Sequence, residues 1–109
     1  MLFRSPEFLS IDDPEWNIAA GVMHDRYLWK LWDGTIPEEQ RPSFMFGSYN
    51  AGEGTITRAA AIAKAKQLDH TRWSTIEQVA PTVPRWRWRE TLGYVRKIDD
   101  GYQRLVGGR

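Results

Sequence analysis

The chain contains no cysteine and only two histidines among its 109 residues. The lack of thiols excludes disulfides, thiolate nucleophiles and cysteine-based zinc sites, and it suits either redox compartment. His24 and His70 have no partner at metal-ligand spacing, so the sequence predicts no metal site and no cofactor. We interpret both histidines as surface or capping residues.

A charge bias and long apolar runs are also missing. Lys plus Arg number 15 and Asp plus Glu number 14, so the net charge is +1 and no overall field recruits nucleic acid or an anionic membrane. No run approaches the roughly 18 apolar residues of a membrane span. The residues Met1 to Pro6 do not have the cationic start and apolar stretch of a signal peptide. The sequence predicts neither a membrane span nor a signal peptide in this chain.

Aromatic residues, in contrast, are abundant. The chain has six Trp, four Tyr and four Phe, and its length allows one small domain. A core of that size encloses only a few large rings, and each indole N–H also needs a partner when it is buried. We therefore expect some aromatic rings to line a groove or a partner surface.

The first half of the chain has helical spacing and no alternating strand pattern. Asp13 and Pro14 are typical of a helix start, and apolar residues recur until the sequence Asp33-Gly34, where Gly predicts a left-handed stop. The sequence thus predicts one helix over residues 13–33. A charged connector, 35–41, then leads to a short apolar helix that begins at Pro42 and runs to Tyr49.

The second half predicts three more helices, which makes the fold class all-α. Asn50 to Gly54 is expected to form a turn, with Thr55 as the cap of a helix that ends near Lys66. A short helix around residues 76–79 and an extended break at Pro81 and Pro84 follow. A last helix is predicted over residues 86–106, with one apolar stripe formed by Trp88, Leu92, Val95, Ile98, Tyr102 and Leu105. Residues 1–12 are predicted to be a lead-in loop, 13–106 the domain, and 107–109 a frayed tail.

Three motifs occur in a characteristic order. Residues 13–21 read Asp-Pro-Glu-Trp-Asn-Ile-Ala-Ala-Gly, residues 48–54 read Ser-Tyr-Asn-Ala-Gly-Glu-Gly, and residues 89–95 read Arg-Glu-Thr-Leu-Gly-Tyr-Val. Together they resemble the lytic transglycosylase domain of the soluble murein type, the goose-lysozyme-like enzymes that cut peptidoglycan glycan strands. The resemblance implies a lysozyme-like helical fold, peptidoglycan as the partner, and the bacterial cell envelope or periplasm as the location.

The resemblance also implies roles for individual residues. Tyr49, Asn50, Ala51 and Gly52 would build one wall of the glycan cleft, with Tyr49 beside the catalytic acid as an auxiliary group. Glu90 and Tyr94 would bind substrate from the other wall. Taken alone, the first quartet is an ordinary helix end and Glu90 is an ordinary acid in a first helical turn. Glu53 stands where relatives often have Pro, and we interpret it as a tolerated surface change.

The acid that performs catalysis in this family is not found. It belongs to a Glu-Ser pair that precedes a Gly-Leu-Met-Gln segment and lies upstream of Asp-Pro-x-x-Asn-Ile, and no Glu-Ser pair occurs in this sequence. We therefore expect the chain to be the C-terminal portion of such a domain, truncated and inactive by itself. We also expect its uncovered apolar surface to pair with the missing upstream lobe or with a second copy.

A cluster of Arg and Trp at residues 85–89 leaves other function classes open. Arg and Trp together can bind phosphates and stack on bases, but one short cluster is thin support for nucleic-acid binding. We expect Trp88 to point inward, and Trp86 and the arginines to face the cleft or solvent. A non-catalytic glycan-binding module and a protein-interaction module are the remaining alternatives.

Overall fold

The computed structural model describes residues 14–107, and the side chains of residues 17–104. This part of the chain is helical and contains no strand, which confirms the all-α class. The α-helices are α1 Pro14–Met23, α2 Arg26–Asp33, α3 Arg41–Ala51, α4 Glu53–Ala65, α5 Trp73–Val79 and α6 Trp88–Gly107, with a 3-10 turn at Ala80–Thr82 after α5. Across residues 14–107, no helix is both long enough and apolar enough to cross a bilayer.

Helix α3 lies at the centre of the fold. Phe44, Met45 and Phe46 have no exposed surface, and α3 contacts α1, α2, α4 and α6. Successive residues of a helix point about 100° apart, so three consecutive apolar side chains require neighbours on most sides. The Phe44 ring meets the rings of Trp32 and Trp73 at centroid distances of 5.2 and 5.3 Å. The predicted apolar helix is therefore the core of the molecule.

The single helix predicted over residues 13–33 is wrong, because the chain forms two helices there. The Asp25 carboxylate accepts a hydrogen bond from the Leu28 backbone N–H at 3.0 Å, and Asp25 has an extended backbone. An Asp in this conformation starts a new helix, since it satisfies one of the free N–H groups of the first turn. The predicted start at Pro14 is confirmed, whereas Asp13 lies outside the described residues.

Helix α2 ends where the sequence predicted, but Gly34 is not the reason. Gly34 has φ −83°, a right-handed conformation, so the predicted left-handed stop is wrong. The buried guanidinium of Arg41 instead donates to the backbone oxygens of Asp33 at 3.2 Å and Ile36 at 2.9 Å. It also pairs with the Asp33 carboxylate at 3.4 Å and lies 4.5 Å from the ring centroid of Trp29. A cation at these carbonyls suits the negative end of the helix dipole.

The turn after α3 is shorter than predicted. Helix α3 continues to Ala51, and α4 begins at Glu53, so Gly52 alone separates the two helices. Gly52 has φ +95°, a conformation that side chains other than that of Gly rarely adopt. Thr55 therefore lies inside α4, and the predicted cap at Thr55 is wrong.

The prediction that Trp86 of the Arg and Trp cluster faces the cleft or solvent is wrong, whereas Trp88 packs against the core as predicted. Trp86 is 9% exposed, and its indole N–H donates to the Thr91 hydroxyl at 2.9 Å. Trp88 is only partly buried, and the Arg89 guanidinium lies 4.4 Å from its ring centroid. The prediction failed because α6 begins at Trp88, so Trp86 lies before the helix and does not follow helical periodicity. Arg85 there has φ +62°, which turns the chain.

The remaining boundaries agree with the sequence within a few residues. The inward stripe of α6 is confirmed by buried Leu92, Val95 and Ile98. Helix α6 extends through Gly107, which the sequence had placed in the tail, and residues 1–13 and 108–109 lie outside the described part. Pro81 lies within a 3-10 turn, so the predicted extended break is limited to the residues that follow it.

Candidate functional site

The two motifs singled out for a glycan cleft are joined by a direct hydrogen bond. The Thr91 hydroxyl, on α6, donates to the Asn50 side-chain oxygen, on α3, at 2.8 Å, across 41 residues of sequence. The Trp86 indole N–H donates to the same hydroxyl at 2.9 Å. Trp86, Thr91 and Asn50 thus form a continuous chain of hydrogen bonds between the start of α6 and the end of α3.

The direction of this chain fixes the orientation of the Asn50 amide. An indole N–H only donates, so the Thr91 oxygen accepts from Trp86. The single Thr91 proton goes to the nearer acceptor, the Asn50 oxygen at 2.8 Å, and not to the Arg87 backbone oxygen at 3.5 Å. The Asn50 oxygen is thereby used, and the two N–H donors of its amide face away from Thr91. Asn50 is exposed, so these donors are accessible to a ligand. Thr91 itself is 2% exposed and holds the amide in place from inside the fold.

Tyr94 lies one turn beyond Thr91 on the same side of α6. Burial raises the pKa of Tyr94 to about 12, and the neighbouring Tyr49 contributes to the shift. The Tyr94 hydroxyl is therefore a neutral hydrogen-bond donor at physiological pH. It is buried without a hydrogen-bond partner in the described part of the chain. A buried polar group without a partner is uncommon and calls for a ligand, a water or a functional role.

Tyr49 lies at the surface beside this group. It is 55% exposed, whereas the three residues before it, Phe46 to Ser48, are buried. The exposure follows from its place at the end of α3, where Gly52 turns the chain away into α4. The structure therefore brings Tyr49, Asn50 and Tyr94 to one place, with a phenol ring available to a ligand.

Glu90 lies in the first turn of α6 and is exposed. Its carboxylate is 4.0 Å from the Arg87 guanidinium, and both side chains are largely exposed. It lines an open pocket of ≈ 330 Å³ together with residues 86–89. No contact in the described part of the chain joins Glu90 to Tyr49, so their position on opposite sides of one cleft stays a prediction.

Several bacterial proteins are similar to this chain over most of its length. The membrane-bound lytic murein transglycosylase F of Pseudomonas putida strain W619 is 29% identical over 86 residues, which cover 77% of this chain and 18% of that protein. The proteins of the same name from Shewanella loihica and Hahella chejuensis are also 29% identical over 86 residues, with 18% and 17% of their lengths covered.

The chain is related to lytic murein transglycosylases. It spans less than a fifth of the length of these curated relatives. No protein-family profile matches the sequence, and no solved structure matches it. The three motifs and these relatives therefore both indicate a relationship to lytic transglycosylases, without naming a type among them.

One contact beside Gly52, between α2 and the start of α4, was not predicted from the sequence of this transglycosylase-related chain. The Tyr27 hydroxyl, on α2, donates to the Glu53 carboxylate, the first residue of α4, at 2.8 Å. This bond is the main cause of a raised pKa at Tyr27. Glu53 is thus tied to a second exposed tyrosine next to Gly52. No local signal predicts the pair, because 26 residues separate its members.

The two histidines were predicted to be surface or capping residues, and no metal site was predicted. His24 forms a hydrogen bond through Nδ1 with the Ala20 backbone oxygen at 2.8 Å, a contact at the end of α1 that fits a capping role. Among the side chains that the structure describes, those of residues 17–104, no group of three His, Asp or Glu could hold a metal ion.

Proposed function

We propose that this chain forms one side of the glycan-binding cleft of a peptidoglycan lytic transglycosylase of the soluble murein type. The observation that carries the proposal is the 2.8 Å hydrogen bond from Thr91 to Asn50, because it joins the two motifs that resemble walls of that cleft. The names of the relatives, which are membrane-bound lytic murein transglycosylases, support peptidoglycan as the partner and the bacterial cell envelope as the location.

The site supplies hydrogen-bond donors for a sugar or for a carboxyl group. The oriented Asn50 amide and the exposed Tyr49 hydroxyl can bind sugar hydroxyls and N-acetyl oxygens. The exposed Tyr49 ring adds an apolar surface for a pyranose face. The buried Tyr94 hydroxyl, which has no partner within residues 17–104, is then satisfied by substrate or by the catalytic acid.

Lytic cleavage also needs an acid with a raised pKa. That acid protonates the glycosidic oxygen and then accepts the proton of the muramic 6-hydroxyl as this oxygen closes onto the anomeric carbon. No Glu-Ser pair occurs in the sequence, and no glutamate within residues 17–104 is buried. Within these residues burial raises the pKa of one carboxyl group, that of Asp99, which belongs to none of the three motifs. We infer that the chain binds glycan and does not cleave it unaided.

The test is to measure glycan binding and cleavage separately. Soluble peptidoglycan oligosaccharides are titrated into the 109-residue chain by calorimetry, and the products are analysed for 1,6-anhydromuropeptides by mass spectrometry. We expect binding without release. Tyr49→Phe should weaken binding by about three- to tenfold, the value of one hydrogen bond.

The matched control is Lys64→Ala, since Lys64 is exposed and lies about 16 Å along α4 from Glu53. This variant should bind glycan as the wild type does. An absence of glycan binding, or equal affinity in wild type and Tyr49→Phe, would contradict the assigned cleft. Release of anhydromuropeptides by the chain alone would contradict the missing acid.

A further inference from the structure

The start of α6 carries a surface that the proposed cleft does not use. We call Arg85, Arg87, Trp88 and Arg89 the Arg-Trp patch. The last three line the open pocket of ≈ 330 Å³ together with Trp86 and Glu90. Arg85, Arg87 and Arg89 are exposed, and the Arg87 side chain is 91% exposed. The patch is thus an accessible cationic surface with an aromatic ring beside it.

The positive charge of the patch is concentrated and only weakly neutralised. Three arginines and the adjacent Glu90 give a local charge of +2, from three positive charges and one negative, whereas the whole chain has a net charge of +1. The ion pair of Arg87 with Glu90 is long, 4.0 Å, and exposed, so it holds Arg87 weakly. Arg85 and Arg89 have no ion-pair partner within the described residues. All three guanidinium groups remain able to bind an anion.

The buried Trp86, which lies between Arg85 and Arg87 in sequence, connects the patch to the cleft. Trp86 is fixed by its hydrogen bond to Thr91, the same hydroxyl that holds Asn50. The Arg89 guanidinium lies 4.4 Å from the centroid of the Trp88 ring. A guanidinium stacked on a ring keeps its N–H groups available at its edge and loses little freedom when it binds a planar anion.

Carboxylate is the anion that best fits this arrangement. The planar guanidinium pairs with a carboxylate through two parallel hydrogen bonds, and the Trp88 ring holds the Arg89 guanidinium in position for that pairing. Single-stranded nucleic acid instead needs several accessible rings for successive bases. Trp86 is buried, so Trp88 is the accessible tryptophan of the patch. The net charge of +1 also gives little support to a polyphosphate partner.

We propose that the Arg-Trp patch is a subsite for a carboxylate carried by the glycan strand. This proposal rests on the proposed function, because it assumes that the strand lies in the cleft formed by α3 and α6. Two groups on the strand can supply this carboxylate. One is the lactyl group of a muramic residue without peptide, and the other is an acidic group of an attached peptide. The patch makes the chain prefer carboxylate-bearing glycan to neutral glycan.

The experiment compares the binding of three soluble glycan ligands to the 109-residue chain by calorimetry, with a single-stranded oligonucleotide as a further ligand. They are glycan oligosaccharides with free lactyl carboxylates, the same oligosaccharides with an attached peptide, and the peptide-free oligosaccharides after methyl esterification of their carboxyl groups. We expect the wild type to bind a carboxylated ligand about three- to tenfold more tightly than the ester. If the peptide-free oligosaccharide shows the larger preference over the ester, the carboxylate is that of the lactyl group. If the peptide-bearing oligosaccharide does, the carboxylate belongs to the peptide.

The decisive variant is the double substitution Arg87→Gln and Arg89→Gln. It should bind the carboxylated ligand as weakly as the ester and leave the affinity for the ester unchanged. The matched control Arg104→Gln removes one positive charge about 22 Å further along α6 and should keep the preference. Lys at both positions keeps the charge without the planar fork, and this variant should restore only part of the preference.

Each contrary result has a distinct meaning. The subsite is overturned, and the cleft is left intact, if the wild type binds carboxylated glycan and the ester with equal affinity. The same holds if the preference for carboxylated glycan survives in the Gln variant. An equal loss for both ligands in a Gln variant with a normal melting temperature also overturns it, because the patch then acts on the cleft and not on the carboxylate. Tighter binding of a single-stranded oligonucleotide than of carboxylated glycan overturns it as well. No binding of any glycan by the wild type overturns the proposed function together with the subsite.

Discussion

At the scale of single residues, Thr91 connects the core to the candidate site. Its hydroxyl accepts from Trp86 and donates to Asn50, at 2.9 and 2.8 Å, and the residue is 2% exposed. The hydroxyl therefore satisfies a buried indole and orients an exposed amide at the same time. One side chain determines both the position of Trp86 and the direction of the Asn50 donors.

Thr91→Val should lower the free energy of unfolding by about 2 kcal/mol, because the buried Trp86 N–H loses its partner without a change in side-chain size. Thr91→Ser is the control, since it keeps the hydroxyl and removes one methyl group, and its loss should be smaller. Urea denaturation of the three proteins, followed by tryptophan fluorescence, measures the difference. Equal stability of Thr91→Val and wild type would show that the Trp86 bond contributes nothing.

At the scale of secondary elements, the ends of α4 are set by backbone conformation. The helix is separated from α3 by Gly52, with φ +95°, and it is followed by Gln67, with φ +62°. The Leu68 and Gln67 backbone N–H groups donate to the Ala63 and Lys64 oxygens, each at 2.9 Å. This is the hydrogen-bond pattern of a Schellman motif, in which Gly is the preferred residue at the left-handed position.

Gln67→Gly should therefore raise the free energy of unfolding by about 1 kcal/mol, since Gly avoids the steric cost of the left-handed conformation. Lys66→Gly is the matched control. Lys66 has φ −88°, where a side chain is not strained, so Gly should give no gain there and lower stability through backbone entropy. Thermal and urea unfolding of both variants distinguish them. A gain at both positions, or at neither, would contradict the assignment.

At the scale of the whole molecule, the candidate site depends on the packing of α6 against α3. These helices contact each other, and they carry Tyr94 and Thr91 on one side and Tyr49 and Asn50 on the other. The same packing buries the Tyr94 hydroxyl and raises its pKa to about 12, mainly through the loss of solvent. The integrity of the fold is thus linked to the protonation of a site residue.

This linkage predicts an alkaline loss of stability. The folded-state pKa of Tyr94 lies above the ordinary value of 10, so the folded state holds the proton more tightly. The resulting contribution to stability is complete below about pH 10 and is lost as the pH rises towards about 12.

Tyr94→Phe should therefore lose less stability than the wild type between about pH 9 and pH 12, by about 1–2 kcal/mol. Urea unfolding at several pH values measures this difference, with pH 8 as the reference at which tyrosine titration has no effect. Part of the alkaline loss should remain in the variant, because burial also raises the pKa of Tyr102. Parallel pH profiles for the two proteins would contradict the linkage.

The sequence by itself determined the helical class, the helix starts at Pro14 and near Pro42, and the inward stripe of α6. It also carried the resemblance to transglycosylases, which named relatives support. These features are local, because proline dihedrals, capping chemistry and apolar spacing act within a few residues of the chain.

Only the tertiary structure decided the details of the site. The Thr91 to Asn50 bond, the burial of Trp86 and the unpartnered Tyr94 hydroxyl could not be predicted from spacing. The Thr91 to Asn50 bond joins residues 41 positions apart, and helical periodicity gives the inward face of a helix without naming the residue that meets it. The packing of α6 on α3 supplied those partners.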